Sequence, residues 1–345
     1  MRHLRSIFLF CCLFWNFVCA EPSYRILGIG AAAVDLLIQV DDTFFAQYDL
    51  GEKGGSRLCD SQTIDRVIQM SGQAPKIVPG GSSANTMRAL ARMGESSAYF
   101  SHIGTDMLGE YYGDHLREAG VVDRLSRRSD LSTARILCLI TPDGQRTFRA
   151  FDPPIHDIML NPDHFAGVSL VHFEARQIRN GFSLQRALEY AVGAKATVSL
   201  DLSCFEIVRE HKEALLFLIS EYVDIVFCNE DELKELMGLS GPAGCRKLAE
   251  ICPIAVVTQG AKGCLIGHGN NLHAIPTFSA EVIDTTGAGD LFAAGFLYGH
   301  LRQLSLPVCA RIGHRLGSAV VEVIGAELPE HKWEQVLALI REEQP

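Results

Sequence analysis

The sequence predicts a doubly wound, mostly parallel α/β sheet with a small β-sheet lid, and three observations point there. Short apolar, β-branched runs alternate along the chain with stretches whose apolar residues recur at helical spacing. Two regions break the alternation, Leu36 to Val40 and Ala134 to Ala150, and read as extended chain. The 345 residues hold no internal repeat, low-complexity segment or Pro/Ser-rich linker, so one large core with excursions accounts for the length.

The strand candidates are Arg25 to Ile29, Ser169 to Phe173, Thr197 to Leu200, Asp224 to Cys228 and Ile254 to Thr258. Each is short and apolar, as strands covered on both faces are. Helices are expected over Asn85 to Met93, Leu184 to Val192, Lys212 to Ser220, Asp231 to Met237 and Asp290 to Leu301. In the second irregular region Thr141-Pro142-Asp143-Gly144 supplies a turn between two extended runs. The lid strands are therefore expected from about 36–60 and 131–150, as excursions of one α/β domain over 21–345.

The net charge of −10 offers no basic stripe, which argues against nucleic acid as a partner. Residues 1–20 stand apart. Arg2, His3 and Arg5 precede the apolar run Ile7 to Val18 and the small-residue end Cys19-Ala20, the pattern of a secretory signal. That run is too short for a stable membrane span, which takes ~20 apolar residues. The later cysteines form no C-x-x-C pair and no dense framework, a usage that favours a reducing, cytoplasmic setting. A true export signal and a non-native upstream extension both remain open for the leader.

Gly28-Ile29-Gly30-Ala31-Ala32-Ala33 follows a strand and nearly fits a dinucleotide fingerprint. The next residues, Val34 to Val40, look like a second strand where that site needs a helix. Asp35 then becomes the residue of interest: an acid between apolar runs at a strand end can accept from two sugar hydroxyls, or serve a turn or cap. No Gly-Lys dipeptide occurs, so a P-loop is absent, and no histidine or cysteine spacing suits zinc.

The strongest signal is Val282-Ile283-Asp284-Thr285-Thr286-Gly287-Ala288-Gly289-Asp290, running into Leu291-Phe292-Ala293-Ala294-Gly295-Phe296. Glycines let backbone N–H groups turn toward an anion at a helix N-terminus, where the dipole favours negative charge. Asp290 beside that cradle could take the proton of an attacking hydroxyl, or simply suit the dipole as a first-turn aspartate. A second segment, Pro79-Gly80-Gly81-Ser82-Ser83-Ala84-Asn85, opens a helix that ends at Gly94. Its glycines clear space for a ligand on the backbone, and Asn85 offers a donor and an acceptor to vicinal hydroxyls.

Together these two segments resemble the two signature motifs of the PfkB, or ribokinase-like, family of carbohydrate and nucleoside kinases, over about Tyr24 to Leu328. The resemblance implies Mg-ATP as phosphoryl donor and a hydroxymethyl group of a small molecule as acceptor. It implies that Asp35, Gly80, Gly81 and Asn85 hold the acceptor's hydroxyls. Gly287, Ala288 and Gly289 would form the anion hole and Asp290 the base. Asn229 and Glu232 match the family's N-x-x-E element, which organises magnesium and phosphate through water; Asn229 also suits an ordinary N-cap. Thr258, Gly260 and Gly263 are similar to its nucleotide-binding turn. Backbone carbonyls near Asp284 would surround a monovalent cation such as K+.

Leu202-Ser203-Cys204 after Asp201, His314 near the expected adenine, and the long stretch Val40 to Asp60 resemble the adenosine-kinase-like branch. Arg146, in the lid turn, is similar in position to a branch arginine that reaches the transferred phosphate, and reads equally well as a solvated turn arginine. Glu174 is a further candidate contact for the acceptor. The alternatives are a fructokinase- or ribokinase-like sugar kinase, and a non-catalytic sugar- or nucleoside-binding module on the same scaffold. A homodimer through the lid is the expected assembly, if there is one.

Overall fold

The computed structural model describes residues 24–47, 53, 55–143, 146–153, 159–180 and 182–343, so the leader-like residues 1–20 lie outside it. In chain order the first elements are β1 (Ile26–Ile29), β2 (Ala33–Gln39), α1 (Asp42–Gln47), β3 (Ser56–Leu58), α2 (Ser61–Ser71), β4 (Lys76–Pro79) and α3 (Ser82–Arg92). There follow β5 (Ser97–Phe100), β6 (His102–Gly104), α4 (Met107–Glu118), β7 (Val122–Asp123), β8 (Ser126–Arg128), β9 (Ala134–Ile140) and β10 (Arg146–Phe151). The second half alternates β11 (Leu170–Glu174), α5 (Phe182–Gly193), β12 (Thr197–Asp201), α6 (Phe205–Tyr222), β13 (Ile225–Asn229), α7 (Glu230–Met237), α8 (Gly241–Leu248) and β14 (Ile254–Thr258). It closes with β15 (Cys264–His268), β16 (Asn271–Ile275), α9 (Ala288–Leu301), α10 (Leu306–Val320) and α11 (Glu330–Glu343).

Among the described residues the main sheet has nine strands in the order β16-β15-β14-β13-β12-β11-β1-β5-β7. Pairing is parallel from β14 through β7 and antiparallel from β14 to β16. Side chains alternate between the faces, and both faces are covered. Ile225 and Phe227 of β13 join the core under α3, α9, α10 and α11, while Val226 and Cys228 join the core under α5 to α8. That double burial is why these strands read as unbroken apolar runs.

The lid is a five-stranded sheet in the order β3-β10-β9-β2-β4. Two of its members depart from expectation. Lys76–Pro79 lies outside the ranges 36–60 and 131–150, because a four-residue edge strand ending on proline carries almost no pattern of its own. Asp35, expected at a strand end, stands inside β2. The helix expected from Asn85 starts earlier, at Ser82, and the one expected from Lys212 starts at Phe205 and kinks at His211. The cysteines from Cys59 to Cys309 are free thiols, most of them buried. No helix among the described residues is long and apolar enough to cross a membrane.

Candidate active site

The strand order reverses between β1 and β11, so their C-terminal ends open a crevice, the place where open α/β sheets bind ligands. Glu174 ends β11 there. It is buried, and its Oε1 accepts from the backbone N–H groups of Ala31 and Ser83, both at 3.2 Å, and from Ser83 Oγ at 2.8 Å. It thereby anchors the start of α3 to the β1–β2 connection, behind the cavity wall. Gly81 caps α3 with φ 92°, and a Cβ there would stand 2.5 Å from the Ala31 carbonyl oxygen. The paired glycines are therefore demanded first by close backbone approach.

The second motif forms the N-terminus of α9. Gly287 caps it in the left-handed conformation, φ 77°, and a Cβ would meet Ala326 at 2.4 Å. No side chain caps this helix. The Ala288 N–H donates to the Thr285 carbonyl at 3.2 Å, and the turn presents the positive end of the helix dipole. A Cβ on Gly289 would meet nothing within 4 Å, so the space beyond it is open. Asp284 steadies the preceding turn. Its carboxylate accepts from Gly325 N at 2.7 Å, from Thr286 N and Oγ1 at 3.1 and 2.8 Å, and from Arg146 Nη2 at 2.7 Å. Burial alone would raise its pKa, but these donors and the Arg146 charge outweigh it and hold the pKa low. Arg146 is the first residue of β10 rather than part of the turn, and also donates to Thr286 Oγ1 at 2.9 Å.

Asp290 joins the two motifs. Its Oδ1 accepts from Ser82 Oγ at 2.7 Å and its Oδ2 from Asn85 Nδ2 at 2.6 Å. Asn85 Oδ1 in turn accepts from Arg88 Nη2, which also donates to the Pro79 carbonyl at 3.1 Å. Because a guanidinium only donates, it fixes the amide with oxygen toward Arg88 and nitrogen toward Asp290. Burial pushes the Asp290 carboxyl up from its usual pKa, while Asn85, Ser82 and the Arg88 charge pull it down.

A cavity of about 730 Å³ runs between α3, the lid and the α10–α11 connection. Asp35, Gly80, Gly81, Asn85 and Arg146 line it, so five of the six sequence-derived acceptor residues share one cavity. Glu174 does not. Thr286 and Leu291 bring the two flanks of the 287–290 turn to the same cavity. Asp35 Oδ1 is buried with no hydrogen-bond partner among the described residues. Burial drives the Asp35 pKa up to about 6, against the opposing charges of Arg88 and Arg146.

The residues expected to serve the nucleotide lie apart from this cavity. Asn229 and Thr258 face each other across β13 and β14. Asn229 caps α7 and, with Glu232, forms a reciprocal capping box, so the helix-cap role is realised. Gly260 and Gly263 take positive φ in the β14–β15 connection. His314 is buried against Phe292, ring centroids 4.9 Å apart, and burial lowers its pKa to about 4, so it is neutral at pH 7. Asp201, Glu232 and Asp290 cluster electrostatically at this end. Burial raises the pKa of Asp201 well above the carboxylate range, with Glu232 and Asp290 adding to it, and burial likewise raises that of Glu232. Such oxygen donors suit a hard dication, whose charge would relieve their repulsion. Among the described residues no three candidate ligands converge into a cage.

Sequence reasoning passed over Ser82, Arg88 and Asp201. Arg88 alone had a signal, its position three residues after Asn85, which puts both on one helix face.

A doubly wound sheet that sets a carboxylate at an uncapped helix N-terminus, under a β lid, is the architecture of a small-molecule phosphotransferase. The pfkB family carbohydrate kinase model matches residues 59–333, and the chain belongs to that family. It is 29% identical over 261 residues to fructokinase-1 of Zea mays, covering 68% of this chain and 79% of that one. Among solved structures, a probable sugar kinase from Rhizobium etli CFN 42 superposes with TM-score 0.83 at 26% identity, covering 92% of this chain and 98% of that one. The adenosine kinase of Sinorhizobium meliloti superposes with TM-score 0.81 at 27% identity, covering 93% and 99%. The protein is thus a sugar or nucleoside kinase, and its family uses ATP.

Proposed function

We propose that the protein transfers the γ-phosphoryl group of Mg-ATP to the hydroxymethyl group of an adenosine-like nucleoside. The observation that carries this reading is the Asn85–Asp290 hydrogen bond, which ties the acceptor cavity to the anion-ready turn of α9. Asp290 takes the proton of the acceptor's hydroxyl as its oxygen attacks the γ-phosphorus, and ADP departs. The N–H groups of Gly287 and Gly289 meet the charge on the moving group, joined by that of Ala288 when it exchanges the Thr285 carbonyl for the phosphoryl oxygen. Asp35, Gly80, Gly81 and Asn85 hold the acceptor, and Arg146 brings a lid-borne positive charge to the same cavity. Asn229, Thr258, Gly260, Gly263 and His314 serve the nucleotide side. Glu232, acting through water, would hold magnesium, which would supply charge neutralisation to the phosphates. A potassium ion near the Asp284 backbone would support the anion hole; equal activity in potassium and in a bulky organic cation counts against it.

The likeness to the adenosine kinase of Sinorhizobium meliloti supports an acceptor with a base, and the cavity has room for one. The likeness to the fructokinase and to the probable sugar kinase supports a second reading, a sugar acceptor. Incubation with Mg-ATP and, separately, adenosine, inosine, ribose and fructose decides between them through ADP release. Adenosine should give the highest kcat/KM. A tenfold preference for ribose or fructose, about 1.4 kcal/mol of transition-state discrimination, replaces the nucleoside reading with the sugar one. Absence of turnover on every acceptor leaves the binding-module alternative.

A further inference from the structure

Two charged groups in the cavity wall are left half-used. Arg88 is only 8% exposed, and its Nη2 serves Pro79 and Asn85, yet its Nη1 is buried with no partner among the described residues. Asp35 Oδ1, in the wall of the same cavity, is buried and equally unpartnered, and the two atoms do not bond each other. A buried N–H and a buried carboxylate oxygen without partners are each costly, so a pair retained at one cavity marks a place for a ligand. The charges of Arg88 and Asp35 balance, which favours a neutral group over an anion. A hydroxyl can accept from a guanidinium and donate to a carboxylate through one oxygen.

We infer that Arg88 is an acceptor-binding residue, whose Nη1 donates to an acceptor hydroxyl that itself donates to Asp35 Oδ1. This rests on the kinase reading above and adds to it a reader of hydroxyl pattern. Through Asn85 the same guanidinium reaches Asp290, so one residue couples recognition of that hydroxyl to the placement of the base. Arg88 lies on the inward face of α3, where Gly80 and Gly81 open the wall beside it.

The test compares the wild type, Arg88→Met and Arg88→Lys on the best acceptor of the panel and on its monodeoxy analogues, 2′- and 3′-deoxyadenosine where adenosine is best. The wild type should reject one deoxy analogue by about 10- to 100-fold in kcat/KM, the scale of a hydrogen bond to a charged group. In Arg88→Met that discrimination should shrink to less than about threefold, chiefly through a higher KM for the hydroxylated acceptor. A merely structural role would lower kcat/KM for both acceptors alike and leave their ratio unchanged, and that result overturns the assignment. Thermal unfolding is recorded in parallel. If Arg88→Met does not fold, Arg88→Lys carries the same comparison, since a single ammonium nitrogen lacks the spread of the guanidinium fork that reaches Pro79 and Asn85 through Nη2 and leaves Nη1 for a ligand. A wild type that turns over no acceptor removes the kinase reading and this inference with it, whereas an active wild type with an unchanged ratio removes Arg88 alone.

Discussion

Asn85 Nδ2 lies 2.6 Å from Asp290 Oδ2, a hydrogen bond that closes the two Gly-rich segments on each other across 205 positions of sequence. It places an acceptor-side amide and the carboxylate at the anion turn in direct contact. On the roles proposed for Asn85 and Asp290, binding of a substrate hydroxyl and removal of its proton would be linked through this one bond. The first predictions concern that contact.

Asp290→Asn should lower kcat by ~10²–10⁴, the usual worth of a general base, with acceptor KM little changed. The amide keeps the shape but cannot take a proton, and its single oxygen can accept from Ser82 or from Asn85 but not from both. Stability should change little, because relief of the buried charge and loss of one of the two accepted hydrogen bonds oppose each other. Steady-state kinetics with matched thermal unfolding decide it; near-normal turnover removes Asp290 from the chemistry.

Ser82→Ala should move the acidic limb of the kcat profile to higher pH. Ser82 and Asn85 both pull the Asp290 pKa down by donating to its charged form, and burial pushes the other way. Losing one donor raises the pKa further, so the active carboxylate appears only at higher pH. A hydrogen bond to a charged group corresponds to about one pKa unit or somewhat more. Superimposable wild-type and variant profiles would exclude the coupling.

What the sequence showed and what it hid follow from how each residue is surrounded. The turn at 284–290 and Gly80-Gly81 were legible because glycine beside small residues, followed at once by an apolar helix, has few other uses. Strands such as Ile254–Thr258 were legible because both faces are buried. Lys76–Pro79 was not, since only pairing with β2 makes it a strand. Arg88 and Ser82 were hidden for the same kind of reason. On α3 alone an arginine reads as a solvated face, and it is buried only in the folded chain, where α9 packs against that helix and the Pro79 carbonyl accepts from the guanidinium.

Asp35→Asn should stabilise the protein near neutral pH while impairing acceptor binding. Burial raises the Asp35 pKa from 3.8 to about 6, so the folded chain keeps a proton that the unfolded chain releases between those values. Stability from this group is therefore lost as pH rises through that window, and above it the charged carboxylate is a burden of up to about 3 kcal/mol. The neutral amide removes that burden. Chemical unfolding at pH 5 and pH 8 should show a larger gain for the variant at pH 8, alongside a raised acceptor KM. A variant less stable than wild type at pH 8 contradicts this account.

Gly287→Ala and Gly289→Ala should fail in opposite ways, although the two glycines stand two residues apart. At Gly287 the backbone has φ 77° and a Cβ would meet Ala326 at 2.4 Å, so alanine forces both backbone strain and a steric clash. Stability should fall by ~1–3 kcal/mol, with activity lost as the turn deforms. At Gly289 a Cβ meets nothing within 4 Å, and the residue lies in the first turn of α9. There alanine should leave stability unchanged or raise it by up to ~1 kcal/mol, since glycine is the poorer helix former. The open space that permits this is where the transferred phosphate is proposed to lie, so the new methyl group should still depress kcat. Gly289→Val, which fills more of that space, should depress it further. Thermal unfolding and kcat measured together on the three variants separate a structural glycine from one kept clear for a ligand. If Gly289→Ala keeps full activity, the anion cradle does not extend to Gly289 and must be confined to the Gly287–Ala288 side of the turn.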